Sequence, residues 1–240
     1  MILRDIRIFP EVGSCSEDIR IECSRSADMI SSYLNRVILK KVRFKTENMR
    51  RICIVGNKNP KSQFYSNSSD VLVHEFQFNE SEYLSYEGQR KNDFFIKYFE
   101  QGLLEISKQI DIPLLELQEG LKSFKEEGYK NEWTYQTRQF KTLGIKCKLN
   151  CVVTFEKFVL TLQIVKGKEI LFEREVIESL PAEGLFQYYL KDVLLEDNAI
   201  TVLGKLRDTL LKIEVKTVED KMTFETVYVA PPAEEPWTWE

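Results

Sequence analysis

Residues 145–155 read IKCKLNCVVTF, and Ile145, Cys147, Leu149, Cys151, Val153 and Phe155 fall at alternate positions. A period of two places all six side chains on one face of a β-strand, where a buried cysteine packs as a small hydrophobe. The same period extends outward, giving expected strands at 133–140, 143–155, 158–165 and 169–177. Between the last two, Val165-Lys166-Gly167-Lys168 is too short for a parallel crossover. Glycine there accepts the positive φ of a tight turn, so these strands pair antiparallel.

Further toward the C-terminus, Leu185, Phe186, Tyr189, Leu190, Val193 and Leu194 are helically spaced and predict a helix over 181–195. Strands return over 206–229, where Thr209, Leu211, Ile213 and Val215 alternate in phase with Arg207.

Upstream of the strand run the period changes. Phe95, Phe99, Gly102, Leu103, Ile106 and Ile110 form one helical stripe. A second helix starts near Asp111 and Pro113, a residue suited to a first turn, and carries Leu114, Leu117, Leu121 and Phe124 to Gly128. The short connection predicts an αα-hairpin at about 90–128. Nearer the N-terminus, Ile19, Ile21 and Cys23 alternate with Asp18, Arg20 and Glu22, which predicts a half-buried strand over 18–23. A helix then follows through Met29, Ile30, Tyr33, Leu34, Val37 and Ile38, with strands near 42–45, 51–55 and 71–78 and a loop over 56–70.

This order predicts an α+β fold with an antiparallel sheet in the C-terminal half, a helical hairpin in the middle and a mixed strand/helix N-terminal part. The chain reads as one α+β domain over 1–240. The shift from helical to strand-like composition near residue 130 suggests a subdivision into 1–130, 131–230 and an acidic tail 231–240, although no Pro/Gly/Ser-rich linker marks the first boundary.

With 240 residues, 43% apolar and 12% aromatic, the chain can bury a core without disulfides or metals. A formal charge of −4 with 30% charged residues excludes both the profile of a general nucleic-acid binder and that of a charged disordered tail. Arg4, Asp5 and Arg7 interrupt the opening MILRDIRIFP, so an export signal is not expected there. Apolar runs such as 158–165 are far below the roughly 18–20 residues of a spanning helix. The expectation is therefore a cytoplasmic protein with no membrane partner.

Candidate chemistry is sparse. Five scattered cysteines (Cys15, Cys23, Cys53, Cys147 and Cys151) with no CxxC pair predict reduced thiols, and one histidine, His74, excludes two-histidine metal sites. No metal and no cofactor is expected. His74 is in phase with Leu72, Phe76 and Phe78 and reads as a packed strand histidine, the alternative being a Cys-His or Ser-His site. Gly56 to Ser62 superficially suggests a phosphate loop, but it lacks the second glycine and Pro60 removes a backbone donor. Glu173, Glu175 and Glu178 read as a solvated strand face, with an acid/base pair as the sharper alternative.

Two features remain. Between residues 36 and 61, Arg36, Lys40, Lys41, Arg43, Lys45, Arg50, Arg51, Lys58 and Lys61 face only Glu47. Such a segment can track phosphates through Lys40, Lys41, Arg43, Arg50 and Arg51, or be neutralised internally by acids such as Glu80, Glu82 and Glu87. The tail APPAEEPWTWE carries Trp237 and Trp239 beside Glu234 and Glu235, a composition suited to docking on a partner or back on the chain's own body.

By elimination the sequence points to a non-enzymatic protein-binding module, of inhibitor or immunity type, that masks another protein through Trp237, Trp239, Glu234 and Glu235. The alternatives are a nucleic-acid-binding accessory protein and an enzyme with a scattered carboxylate or Cys/His site. Nucleic acid is the less favoured partner, since no recognition motif accompanies the basic segment.

Overall fold

The computed structural model describes residues 1–231 except 62, 63, 68, 69 and 220. The chain forms two compact units, Met1–Asn131 and Glu132–Glu240. Among the described residues no helix is long and apolar enough to cross a membrane.

The first unit holds a four-stranded sheet in the order β1-β2-β4-β3, from β1 (Asp5–Pro10), β2 (Arg51–Asn57), β3 (Tyr65–Asn67) and β4 (Val71–Gln77). β1, β2 and β4 run parallel, with Ile6 beside Ile52 and Ile54 beside His74, and β3 adds an antiparallel edge. The crossover from β1 to β2 is α1 (Glu17–Leu34), which passes through a π-helical turn, Asn35–Leu39, into the single turn α2 (Lys40–Val42). A short helix, α3 (Glu80–Leu84), precedes the hairpin of α4 (Lys91–Ser107) and α5 (Leu114–Glu126). At Gly102, α4 lies so close to the sheet that a β-carbon would stand 2.9 Å from Ile54 Cδ1 and 3.2 Å from His74 Cδ2.

The expected strand at 18–23 is instead the first turns of α1, begun at Ser16. Six residues of alternation are too few to separate the two periods, and Cys23, Ala27, Ile30 and Leu34 bury a helical face while Ile21 is exposed. The expected strand near 42–45 is also absent. Arg43 turns left-handed at φ 50°, and Lys45 makes only an isolated bridge to Ile2.

The second unit is made of two antiparallel four-stranded sheets. One, in the order β5-β6-β7-β8, consists of β5 (Asn131–Phe140), β6 (Ile145–Val153), β7 (Phe158–Lys166) and β8 (Glu169–Ser179). The other, in the order β12-β11-β10-β9, consists of β9 (Asp192–Glu196), β10 (Ala199–Leu203), β11 (Thr209–Val218) and β12 (Lys221–Val229). Ile145, Cys147, Leu149, Cys151 and Val153 are buried along β6, as their alternation requires.

The expected helix over 181–195 shrinks to α6 (Glu183–Phe186) and a 3-10 turn, Gln187–Tyr189, before β9 begins. Val193 is buried in a strand, and Asp197 and Asn198, at φ 49° and 60°, close a two-residue hairpin into β10. The edges of β5 and β9 are laced together, since Arg138 donates to both oxygens of Asp192 at 2.9 and 2.8 Å and Tyr135 OH donates to Leu190 O at 3.1 Å.

Candidate functional site

In open sheets with parallel strands, ligand sites gather beyond the carboxyl ends of the strands. There β4 places Glu75, its side chain 2% exposed, in the same row as Val71 and Val73. Its Oε1 accepts from Tyr65 OH at 2.9 Å, and its Oε2 accepts from Lys61 N at 2.8 Å and Asn57 Nδ2 at 3.3 Å. Lys61 Nζ stands 4.0 Å away, and Asn57 Nδ2 also donates to Glu11.

Burial alone would raise the Glu75 pKa, but these donors together hold it below the ordinary carboxylate range. The Tyr65 hydroxyl is pushed up to about 12 by burial and by that carboxylate. The cluster thus fastens the loop after β2 rather than offering a free base.

Glu75→Gln is expected to cost about 1–3 kcal/mol at neutral pH, since Lys61 N–H and Tyr65 OH lose a charged acceptor. A carboxylate depressed on folding stabilises above its unfolded value of about 4.3 and loses that contribution as pH falls through the lower folded value. Denaturant melts at pH 7 and pH 3 should therefore show the gap between variant and wild type narrowing in acid.

The thiols and the histidine are similarly quiet. Burial pushes Cys23 and Cys147 up to about 12 and Cys53 to about 11, far from the thiolate range of a nucleophile. Burial lowers the pKa of His74, whose ring lies 4.8 Å from Phe64 beneath Gly102, so it packs in the sheet. Among the described residues no cluster of three or more His, Cys, Asp or Glu could hold a metal ion. A cleft of about 690 Å³ between residues 45–49 and 109–111 is lined by Lys45, Glu47 and Asp111, side chains of opposing charge.

The basic segment is divided rather than gathered. Arg50 pairs with Asp70 at 3.6 Å and Arg51 with Asp5 at 2.8 Å, at the start of β2, while Arg36 donates to Asn131. Lys58 and Lys61 lie beyond its far end, about 20 Å away along seven residues of strand. Lys40, Lys41 and Arg43 are exposed in and just after α2. Asp5, Asp70 and Glu75 are among the acids that meet this segment, whereas Glu82 bonds Lys97 and Tyr98. Trp237, Trp239, Glu234 and Glu235 lie outside the described residues.

The two units treat their sheet edges differently. On β1, the Asn35 side chain accepts from Ile6 N at 2.9 Å and donates to Asp5 Oδ1 at 2.6 Å, and the opposite edge strand, β3, has only three residues. In the second unit β12 is a nine-residue edge strand without proline. Phe224 meets Phe172 of β8 at 5.6 Å and Thr226 meets Arg174 at 3.3 Å, but Val227, Tyr228 and Val229 are 45%, 44% and 39% exposed. Val218, at the end of β11, is 64% exposed. β-propensity alone would have singled out MTFETVYV, though not its place at an edge.

Compared with protein-family models, curated proteins and solved structures, the chain matches none.

Proposed function

We propose that the chain is a non-enzymatic protein-binding module whose docking surface is the β12 edge of the second unit. The supporting observation is that β12 ends in three consecutive exposed apolar residues, Val227 to Val229, on a strand with no neighbour across its outer edge in its own sheet among the described residues. An unguarded strand of this composition is a template for an extended segment, whose backbone adds hydrogen bonds while its alternate side chains meet the exposed valines. In its narrower form the reading makes the protein an inhibitor- or immunity-like partner that masks a strand of another protein.

Val227→Glu with Val229→Glu alters only exposed positions and should leave the fold intact. Capture from native lysate on immobilised wild type, compared with this double variant, should lose its specific partner by roughly 30-fold or more, as hot-spot truncation of about 2 kcal/mol implies. Identical captures would overturn the reading. A salt-sensitive shift of DNA or RNA abolished by Lys40→Glu, Lys41→Glu and Arg43→Glu would replace it with the nucleic-acid alternative.

A further inference from the structure

At one end of the second unit's β9–β12 sheet, the turn between β10 and β11 carries Leu206, 81% exposed, beside Tyr188, 51% exposed. The two are fixed to each other through the backbone, since Lys205 N–H donates to Tyr188 O at 2.7 Å. The Lys205 ammonium donates to Gln187 Oε1 at 2.9 Å and stands 5.6 Å from the Tyr188 ring. The turn is closed by Gly204 N–H on Asp208 O at 3.0 Å and Arg207 N–H on Gly204 O at 2.9 Å, with Arg207 left-handed at φ 65°. Among the described residues neither Lys205 nor Arg207 forms an ion pair. The patch is therefore an aromatic and a leucine flanked by two cations on an ordered turn, the composition of a docking site for an acidic aromatic segment.

Such a segment begins at the same place. Ala230 N–H donates to Leu210 O at 2.8 Å, so β12 delivers the chain to the start of β11, two residues past Asp208. The residues that follow, PAEEPWTWE, carry three glutamates and two tryptophans and no cation. The six residue steps from Pro231 to Trp237 span up to about 20 Å when extended. The step from β12 across β11 to the β10–β11 turn is two strand spacings, about 10 Å.

We propose that residues 232–240 dock on the Tyr188–Leu206 patch of their own chain. Trp237 and Trp239 cover Leu206 and Tyr188, and the glutamates lie against Lys205 and Arg207. Apolar burial drives the contact and the charges set its direction. The proposal is independent of partner binding at the exposed valines of β12.

Fluorine NMR of the full chain labelled with 5-fluorotryptophan tests this. The three tryptophans are Trp133, Trp237 and Trp239, and Trp237→Phe and Trp239→Phe assign the last two. In the wild type both tail resonances should be displaced from their positions in a synthetic peptide of residues 230–240. Leu206→Asp should return them to the peptide positions while Trp133 stays unmoved, which also reports that the unit is folded. Tyr188→Ala gives the same readout if the first variant does not fold. Tail resonances matching the free peptide in the wild type would overturn the proposal. So would displaced resonances indifferent to both variants, or a displacement that disappears on dilution, which would assign the contact to a second molecule.

Discussion

Phe94→Ala is expected to be among the most destabilising single truncations in the first unit, costing about 3–5 kcal/mol and lowering the melting temperature on the order of 10 °C. Phe94 is fully buried, and its ring centroid lies 5.6 Å from Phe78, 5.4 Å from Tyr83, 5.2 Å from Phe95 and 4.8 Å from Tyr98. These rings come from α3, from α4 itself and from the segment between β4 and α3, so the cavity left by the truncation cannot be refilled by one side chain relaxing. Leu84→Ala, at the end of α3 and 53% exposed, should stay within about 0.5 kcal/mol of wild type. Calorimetry of the two variants side by side measures the contrast, and equal melting temperatures would show that the aromatic cluster does not hold the unit.

The second large effect is expected at Phe158. Its ring stacks on Phe186 at 4.3 Å and 10°, and both lie near Trp133, at 6.5 and 6.2 Å. Phe186 sits in α6, which makes only one short turn and so depends on this contact more than on its own hydrogen bonds. Phe158→Ala should cost about 3–5 kcal/mol and release α6 as well. The release is read as a red shift of Trp133 emission in a chain carrying Trp237→Phe and Trp239→Phe. A truncation that lowers stability without moving Trp133 would separate the stack from the indole.

The strands of β5 to β8, β11 and β12 and the α4–α5 hairpin were legible in the sequence because each runs long enough for one period to dominate. The misreadings at 18–23 and 181–195 share a physical cause. The 18–23 alternation is shorter than the helix that absorbs it, and the face buried over the whole of α1 decides. The 181–195 spacing fits a helix as well as it fits a strand, and the decision comes from pairing with β10, a contact that local sequence does not contain. The β9–β10 turn uses Asp197-Asn198 where glycine would have announced it. The candidate site was less legible still. Glu75 passed unnoticed among the carboxylates, since burial and convergence of Asn57, Lys61 and Tyr65 are properties of the folded chain, and the openness of β12 depends on strand order.

The π-helical turn at Asn35–Leu39 has the form of a single extra residue inserted into a continuous helix. It allows one helix to satisfy two neighbours at once, with Asn35 on the β1 edge and Ile38 against Gly120, where a β-carbon would stand 2.7 Å from Ile38 Cγ1. Deleting one residue here would restore regular winding and turn everything beyond it by about 100°. Either the asparagine or the isoleucine would then lose its seat. The segment, half-buried at Asn35 to Ile38 and buried at Leu39, therefore resists a change of length above all, and that intolerance would mark a genealogy: descendants of this chain should keep the count there.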